Sequence, residues 1–154
     1  MSGKTVLYLI DMNYPPTIET SAFFKCESLT SITISESVTN IGDSAFSHCN
    51  SLASINIPES ITSITRSMFS GCDALTSITI PENVKSIGIS AFSNCFSLTS
   101  INIPESITSI ENDTFYNYES LTSITIPDTV IKIGNTAFYG CDSLTSIKVD
   151  KLNV

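Results

Sequence analysis

Six leucines recur at intervals of 23 residues, and this period constrains the fold more than any other feature of the sequence. The series is Leu29, Leu52, Leu75, Leu98, Leu121 and Leu144. With each leucine at repeat position 1, the consensus is L-T-S-I-T-I-P-E-S-V-T-S-I-G-x-S-A-F-S-x-C-x-S, and no insertion interrupts it. Five full copies run over 29–51, 52–74, 75–97, 98–120 and 121–143. A fixed period of roughly 20 to 50 residues is typical of a solenoid, in which each repeat forms one coil.

The first third of each repeat predicts a β-strand. Isoleucines at positions 4 and 6 alternate with polar residues, which is the period of a half-buried strand. Proline at position 7 predicts the end of the strand, because it has no N–H to donate to a ladder. Adjacent coils then place these strands side by side in a parallel sheet with a spacing of about 4.8 Å.

The rest of each repeat predicts turns. Glycine at position 14, as in Gly42, Gly88 and Gly134, is expected to permit a turn. Position 16 carries residue types that begin helices, so a single helical turn is predicted there; its members are Ser44, Ser67, Ser90, Asp113 and Thr136. Positions 1, 4, 6, 10, 13, 17, 18 and 21 are apolar in the consensus and are expected to form one core that only stacked coils can bury.

Both ends depart from the consensus. Residues 6–28 fit a degenerate first repeat that caps the solenoid, with Val6 at position 1, Leu9 at position 4, Ile18 at position 13 and Cys26 at position 21. Residues 144–154 begin a sixth repeat and stop halfway, so an open strand edge with exposed apolar side chains is expected there. The sequence thus predicts a single domain over 1–154.

Charge and hydropathy exclude several classes of function. The net charge is −8, and the seven Lys and Arg residues form no cluster that would bind nucleic acid or an anionic membrane. No apolar run approaches the roughly 18 residues that a membrane span needs. The run Val6–Ile10 is also shorter than the apolar core of a secretory signal, so we expect neither an anchor nor an export signal in this sequence.

The phrase L-x-x-I-x-I-P-x-x-V-x-x-I-G-x-x-A-F-x-x-C-x-S resembles the BspA-like, or Treponema-type, class of leucine-rich repeat over essentially the whole chain. The departures are Ser35 for Pro, Thr65 and Glu111 for Gly, Met68 and Thr114 for Ala, and Tyr118 for Cys. The resemblance implies a leucine-rich-repeat solenoid with a parallel sheet on one face and short turns or single helical turns on the other. It also implies a surface protein engaged in adhesion or protein binding, located at the cell surface or secreted, with no catalytic residues to carry over.

Cysteine occupies position 21 in five repeats, as Cys26, Cys49, Cys72, Cys95 and Cys141. The five share no metal-binding C-x-x-C spacing, and their odd number argues against a full disulfide framework. We expect a ladder of buried thiols that act as small apolar groups. A Cys49–His48 catalytic pair would need a reactive thiol, which the repeat pattern buries.

Position 8 forms an acidic column of Glu36, Glu59, Glu82, Glu105 and Asp128. Stacked carboxylates repel one another, and calcium would relieve that repulsion, but calcium-binding solenoids carry Gly-Asp turn motifs that this sequence lacks. A solvated rim is the preferred interpretation, and no metal or cofactor is predicted.

The outward strand positions 3 and 5 form the broadest regular surface and are the first candidate for binding. This candidate surface comprises Ser31, Thr33, Ser54, Asn56, Ser77, Thr79, Ser100, Asn102, Ser123 and Thr125. It has no Trp, Tyr, Phe or Arg, the residues that dominate binding energy in protein interfaces, so contacts there are expected to be weak, polyvalent or wet. Its hydroxyl array also resembles an ice-binding face, although Asn in alternate coils breaks the threonine regularity.

Aromatic residues gather on the opposite turns, where Phe96, Tyr116 and Tyr139 form an alternative candidate patch. Repeat 98–120 is the most irregular, and Ile89 and Ile131 are outward by phase. The sequence therefore predicts a non-catalytic protein-binding or adhesion module with an unidentified protein partner. The alternative is a structural solenoid that forms a homo-oligomer by stacking through its C-terminal edge.

Overall fold

The computed structural model of the chain describes residues 5–6 and 15–149. This part forms a solenoid of stacked coils built from short strands and turns, as the repeat predicts. The strands are β1 Thr5–Val6, β2 Thr17–Ile18, β3 Ser31–Thr33, β4 Asn40–Ile41, β5 Ser54–Ile55, β6 Ser63–Ile64, β7 Ser86–Ile87, β8 Ser109–Ile110, β9 Ser123–Ile126, β10 Lys132–Ile133 and β11 Ser146–Val149. None of the described residues forms a helix, and so no helix in this part is long and apolar enough to cross a membrane.

Every strand pairing is parallel, and the pairings lie at two places on each coil. At positions 3 to 6, β1, β3 and β5 form one sheet and β9 pairs with β11. At positions 12 and 13, β2 pairs with β4, β6 with β7, and β8 with β10. Equivalent residues of successive repeats face each other, as Ile64 faces Ile87. The 23-residue period is therefore one full coil.

The core follows the eight predicted apolar positions in the inner coils. Four phenylalanines at position 18 stack with ring centroids 5.8, 5.5 and 6.2 Å apart; they are Phe46, Phe69, Phe92 and Phe115. Leucines at position 1, isoleucines at positions 4, 6 and 13, and Cys49, Cys72 and Cys95 surround this stack. Each coil buries its apolar side chains against the coils before and after it, which an isolated repeat cannot do.

The predicted single helical turn after position 16 is wrong. Ser44, Ser67 and Ser90 have φ of 56°, 52° and 55°, and a residue in this left-handed region does not begin a right-handed helix. Tight turns replace it, as in the hydrogen bond from Ser47 N–H to the Ser44 carbonyl. Intervening N–H groups bond to the next coil, as Phe46 N–H does to the Met68 carbonyl at 3.0 Å. These bonds satisfy the main chain on the turn side without a helix.

Glycine at position 14 begins a turn, as the 3.2 Å hydrogen bond from Ala91 N–H to the Gly88 carbonyl shows. Thr65 and Glu111 begin the same turn in their repeats, so the turn does not require glycine, and what glycine adds is close approach between coils. Gly88 does not have a positive φ; instead, a Cβ there would lie 2.7 Å from the main-chain nitrogen of Arg66 in the preceding coil. The three coils with glycine at this position pair with the coil before them at positions 12 and 13. The coils with Thr65 and Glu111 do not, since β6 is unpaired with β4 and β8 is unpaired with β7.

The first coil has a different register from the one expected. β1 pairs Thr5 with Ile32 and Val6 with Thr33, so Val6 lies at position 5 and not at position 1. Ile18 faces Ile41 at position 13, as expected. Four extra residues therefore lie between these two points of the coil, and Leu9 is outside the described residues. Cys26 is exposed, contrary to the repeat pattern, because no earlier coil covers it in the described part.

The last described coil exposes apolar side chains, as predicted. β11 pairs with β9 in parallel, with Ile147 opposite Ile124. Ile147 and Val149 are 49% and 58% exposed, and Ile133 is 51% exposed.

Candidate binding surface on the strand face

The structure places the ten candidate residues on one face of the solenoid, which we call the strand face. Nine of them are exposed and Ser31 is half-buried. Two grooves run along this face, one of about 610 Å³ and one of about 280 Å³. Both are lined by Ser77, Ile78 and Thr79, so the two grooves are adjacent and together span repeats 52–74 to 121–143; we call this pair of grooves the trough.

The trough lies where strand pairing at positions 3 to 6 is interrupted. β5 ends the pairing on one side and β9 resumes it on the other. Between them, the main-chain groups of residues 77–79 and 100–102 make no backbone hydrogen bond with a neighbouring coil in the described structure. Unpaired N–H and C=O groups at the floor of a groove are available to a ligand or to water.

Two of the ten candidates have a structural task that the repeat pattern did not reveal. The Asn56 side chain accepts a hydrogen bond from Ile34 N–H at 2.8 Å and donates one to the Ile34 carbonyl at 2.9 Å. Asn102 forms the same pair with Ile80, at 3.3 Å each. The asparagine amides thus bind the preceding coil, and they are not free for a partner in the way the hydroxyls are.

A signal for this task was present in the sequence. Asparagine at position 5 occurs in the two repeats that lack glycine at position 14, whereas threonine at position 5 accompanies the glycine. The repeat is therefore a pair of alternating coils: one approaches its predecessor through glycine, and the other is fastened to it by an asparagine amide.

The acidic column borders the strand face. Glu59 and Glu105 line the trough, and Pro81 and Pro127 lie beside them at its edge. Glu36 accepts a hydrogen bond from Glu59 N–H at 3.0 Å. The described residues contain no group of three or more His, Cys, Asp or Glu side chains placed to hold a metal ion. The arrangement offers a row of carboxylates to solvent.

The thiols of the inner coils are core groups. Cys49, Cys72 and Cys95 are free and buried, and each donates a hydrogen bond to a phenylalanine carbonyl in the preceding coil, as Cys72 Sγ does to Phe46 at 3.3 Å. Burial raises the pKa of the Cys49 thiol to about 11 and also raises the pKa of Cys72 and Cys95.

His48, the neighbour of Cys49 in sequence, is exposed and contacts the Phe24 ring edge-on. A protonated buried thiol is a poor nucleophile, so this pair offers no support for a Cys–His reaction.

The alternative aromatic patch is only partly assembled. Tyr116 and Tyr139 stack with centroids 5.2 Å apart and planes 10° from parallel. Phe96 makes no ring contact with either of them in the described structure. Ile89 and Ile131 are exposed, as their phase predicts. The structure therefore brings together two of the three aromatic residues of this patch.

With the coil geometry established, similarity to known proteins identifies the class. The chain belongs to the BspA type leucine rich repeat family, whose pattern matches residues 10–121 and 108–153 in six copies. No curated protein sequence shows a significant match.

Three solved structures show how widely this coil is used. A leucine-rich repeat protein from Bacteroides ovatus is 30% identical with a TM-score of 0.74; the match covers 94% of this chain and 45% of that protein. The leucine-rich repeat protein of T. pallidum is 25% identical with a TM-score of 0.71, over 92% of this chain and 77% of that one. A leucine-rich cell surface protein from Faecalibacterium prausnitzii is 29% identical with a TM-score of 0.54, over 89% and 52%. The chain thus spans less than half the length of the B. ovatus protein.

Proposed function

We propose that the chain is a non-catalytic binding and adhesion module, and that it holds a protein partner on its strand face. The observation that carries this proposal is the trough. It combines a concave shape, exposed hydroxyls such as Thr79 and Ser100, and unpaired main chain in one place. A catalytic function has less support, because the thiols of the inner coils are buried and protonated.

One similar structure supports a location at the cell surface. The F. prausnitzii protein is described as a cell surface protein, and it shares 29% identity with this chain. We propose by analogy that this module is displayed at a cell surface or secreted, where an uncharged hydroxyl face suits polyvalent and weak contacts.

The test is capture of the purified chain on a panel of immobilised extracellular-matrix proteins. The test variant is Thr79→Arg with Thr125→Arg, which places two bulky charges on the trough. The control is Thr62→Arg with Thr108→Arg, two exposed threonines at position 11, where another repeat carries Lys85.

We expect the trough variant to lose the captured partner and the control to retain it. If the trough variant still captures the partner, the partner binds to another face of the solenoid. Tyr116→Ala with Tyr139→Ala then tests the aromatic patch in the same assay.

A second candidate function rests on a separate observation. The exposed Ile147 and Val149 lie on β11 and the exposed Ile133 lies on β10, so a further coil from a second molecule, stacked on the C-terminal edge of the solenoid, would bury them. We propose homo-oligomeric stacking through this edge as the alternative. Sedimentation velocity across a hundredfold range of concentration tests it. Association that Ile147→Lys with Val149→Lys abolishes, and that Ile131→Lys leaves intact, supports stacking; a concentration-independent monomer rejects it.

A further inference from the structure

The trough has no basic residue in its lining, and its edge is acidic. Its walls are Ser, Thr and Asn side chains, its floor is isoleucine, and its charged members are Glu59 and Glu105. The carboxylates of Glu82 and Asp128 belong to the same column, one per coil. An anionic ligand would meet repulsion along the whole edge, and a cationic one would meet attraction in every coil.

The polar groups of the trough suit an extended main chain. Hydroxyls of Ser77, Thr79, Ser100 and Ser123 both donate and accept hydrogen bonds, so each is able to pair with an N–H or with a carbonyl. The unpaired main-chain groups of residues 77–79 and 100–102 add donors and acceptors at the floor. A polypeptide with small side chains brings both kinds of group in alternation.

The trough lacks the features that would favour other ligands. No aromatic side chain lines it, so a ring has no stacking platform. Its lining covers four coils, whose stacked rings Phe69, Phe92, Phe115 and Phe138 are 5.5, 6.2 and 5.4 Å apart, and this length corresponds to about five residues of an extended chain. The size thus matches a short linear segment.

We propose that the trough binds an extended, positively charged polypeptide segment that lies along the solenoid axis. Its main chain pairs with the hydroxyls and the open backbone of the floor, and its lysine or arginine side chains reach the carboxylates at the edge. This inference rests on the proposed binding function of the strand face and names the chemistry of its partner.

The test uses the full chain and a fluorescein-labelled ten-residue peptide of alternating lysine and serine. Binding is measured by fluorescence anisotropy at low and at physiological ionic strength, beside a glutamate–serine peptide of equal length. We expect the lysine peptide to bind, the glutamate peptide to remain free, and salt to weaken the complex, because the attraction at the edge is screened.

Two matched variants decide whether the carboxylates at the edge of the trough attract the lysine peptide. Glu59→Gln with Glu105→Gln neutralises the trough carboxylates, and Glu119→Gln with Asp142→Asn neutralises two exposed carboxylates on the turns. Both lower the net negative charge by the same amount. We expect about a three- to tenfold loss of affinity for the trough variant, the value for two solvent-exposed ion pairs, and less than about a twofold loss for the control.

Three outcomes overturn the inference: no binding of the lysine peptide, equal affinity in the trough variant, or an equal loss in both variants. The last would mean that net charge alone attracts the peptide. These results remain separable from the proposed function. If Thr79→Arg with Thr125→Arg abolishes capture of a matrix protein while the lysine peptide fails to bind, the strand face is a binding surface for a partner of different chemistry.

Discussion

Gly88 lies so close to Arg66 of the preceding coil that a Cβ on the glycine would be 2.7 Å from the Arg66 main-chain nitrogen. The Gly88 N–H donates to the Ile64 carbonyl at 2.8 Å, beside the pairing of β6 with β7. The absence of a side chain therefore sets the distance between these two coils. The same relation recurs at Gly42 and Gly134, the other glycines of position 14.

Gly88→Ala is expected to destabilise the protein by about 1–3 kcal/mol, because the added methyl must push one coil from the next. Urea unfolding gives the free energy. Glu111→Ala is the control at the same repeat position, in a coil that does not pair with its predecessor. Glu111→Ala removes a 3.8 Å contact with Lys132 and a 2.8 Å hydrogen bond from the Ser109 hydroxyl, and it is expected to cost about 1 kcal/mol or less. Equal stability of Gly88→Ala and the unaltered chain would contradict the close-approach role.

Asn56→Ala is expected to lower the free energy of unfolding by about 1–3 kcal/mol, because it leaves the N–H and carbonyl of Ile34 without their side-chain partner. Thr79→Ala, at the same repeat position but without a side-chain hydrogen bond in the described structure, is expected to change it by less than about 0.5 kcal/mol. Chemical denaturation of both variants checks the contrast. A loss no larger for Asn56 than for Thr79 would show that the amide does not fasten the coils.

Tyr118→Phe is expected to stabilise the protein by about 1 kcal/mol. The Tyr118 side chain is fully buried, its hydroxyl has no hydrogen-bond partner among the described residues, and burial raises the pKa of the hydroxyl well above its usual range. Removing the hydroxyl ends the cost of burying an unpaired polar group and keeps the ring against Phe115. A higher melting temperature is the expected observation. Tyr116→Phe is the control, because the Tyr116 side chain lies in the same coil and is half-buried; it should leave the melting temperature unchanged. A lower melting temperature for Tyr118→Phe would indicate that the Tyr118 hydroxyl forms a hydrogen bond.

Alkaline pH is expected to destabilise the fold through the thiol ladder. Burial raises the pKa of Cys49 from 9.0 to about 11, so the folded state holds this proton more tightly than the unfolded state. The associated stability is complete below pH 9 and is lost as the pH rises from about 9 to about 11. Melting temperatures across this range should fall, and Cys49→Ala should show a shallower fall. Identical slopes for the two proteins would exclude the thiol as the cause.

Much of the fold was predictable because one period repeats. Ile78 and Ile80 alternate with polar residues, and Phe92 and Cys95 recur at fixed positions, so the core of each inner coil follows from the sequence. The strand face was predictable for the same reason, since positions 3 and 5 are outward wherever 4 and 6 are inward. Its value as a binding site stays a prediction.

The sequence by itself determined the solenoid, its 23-residue coil and the side chains that fill it, because hydrophobic burial follows periodicity. The tertiary structure decided what depends on the distance between coils. It gave Gly88 its close approach, turned the Asn56 amide onto Ile34, placed Ser90 in a left-handed turn and opened the trough beside Thr79. Each of these depends on atoms about one repeat away in sequence but adjacent in space, and a pattern read along a single repeat does not contain that distance.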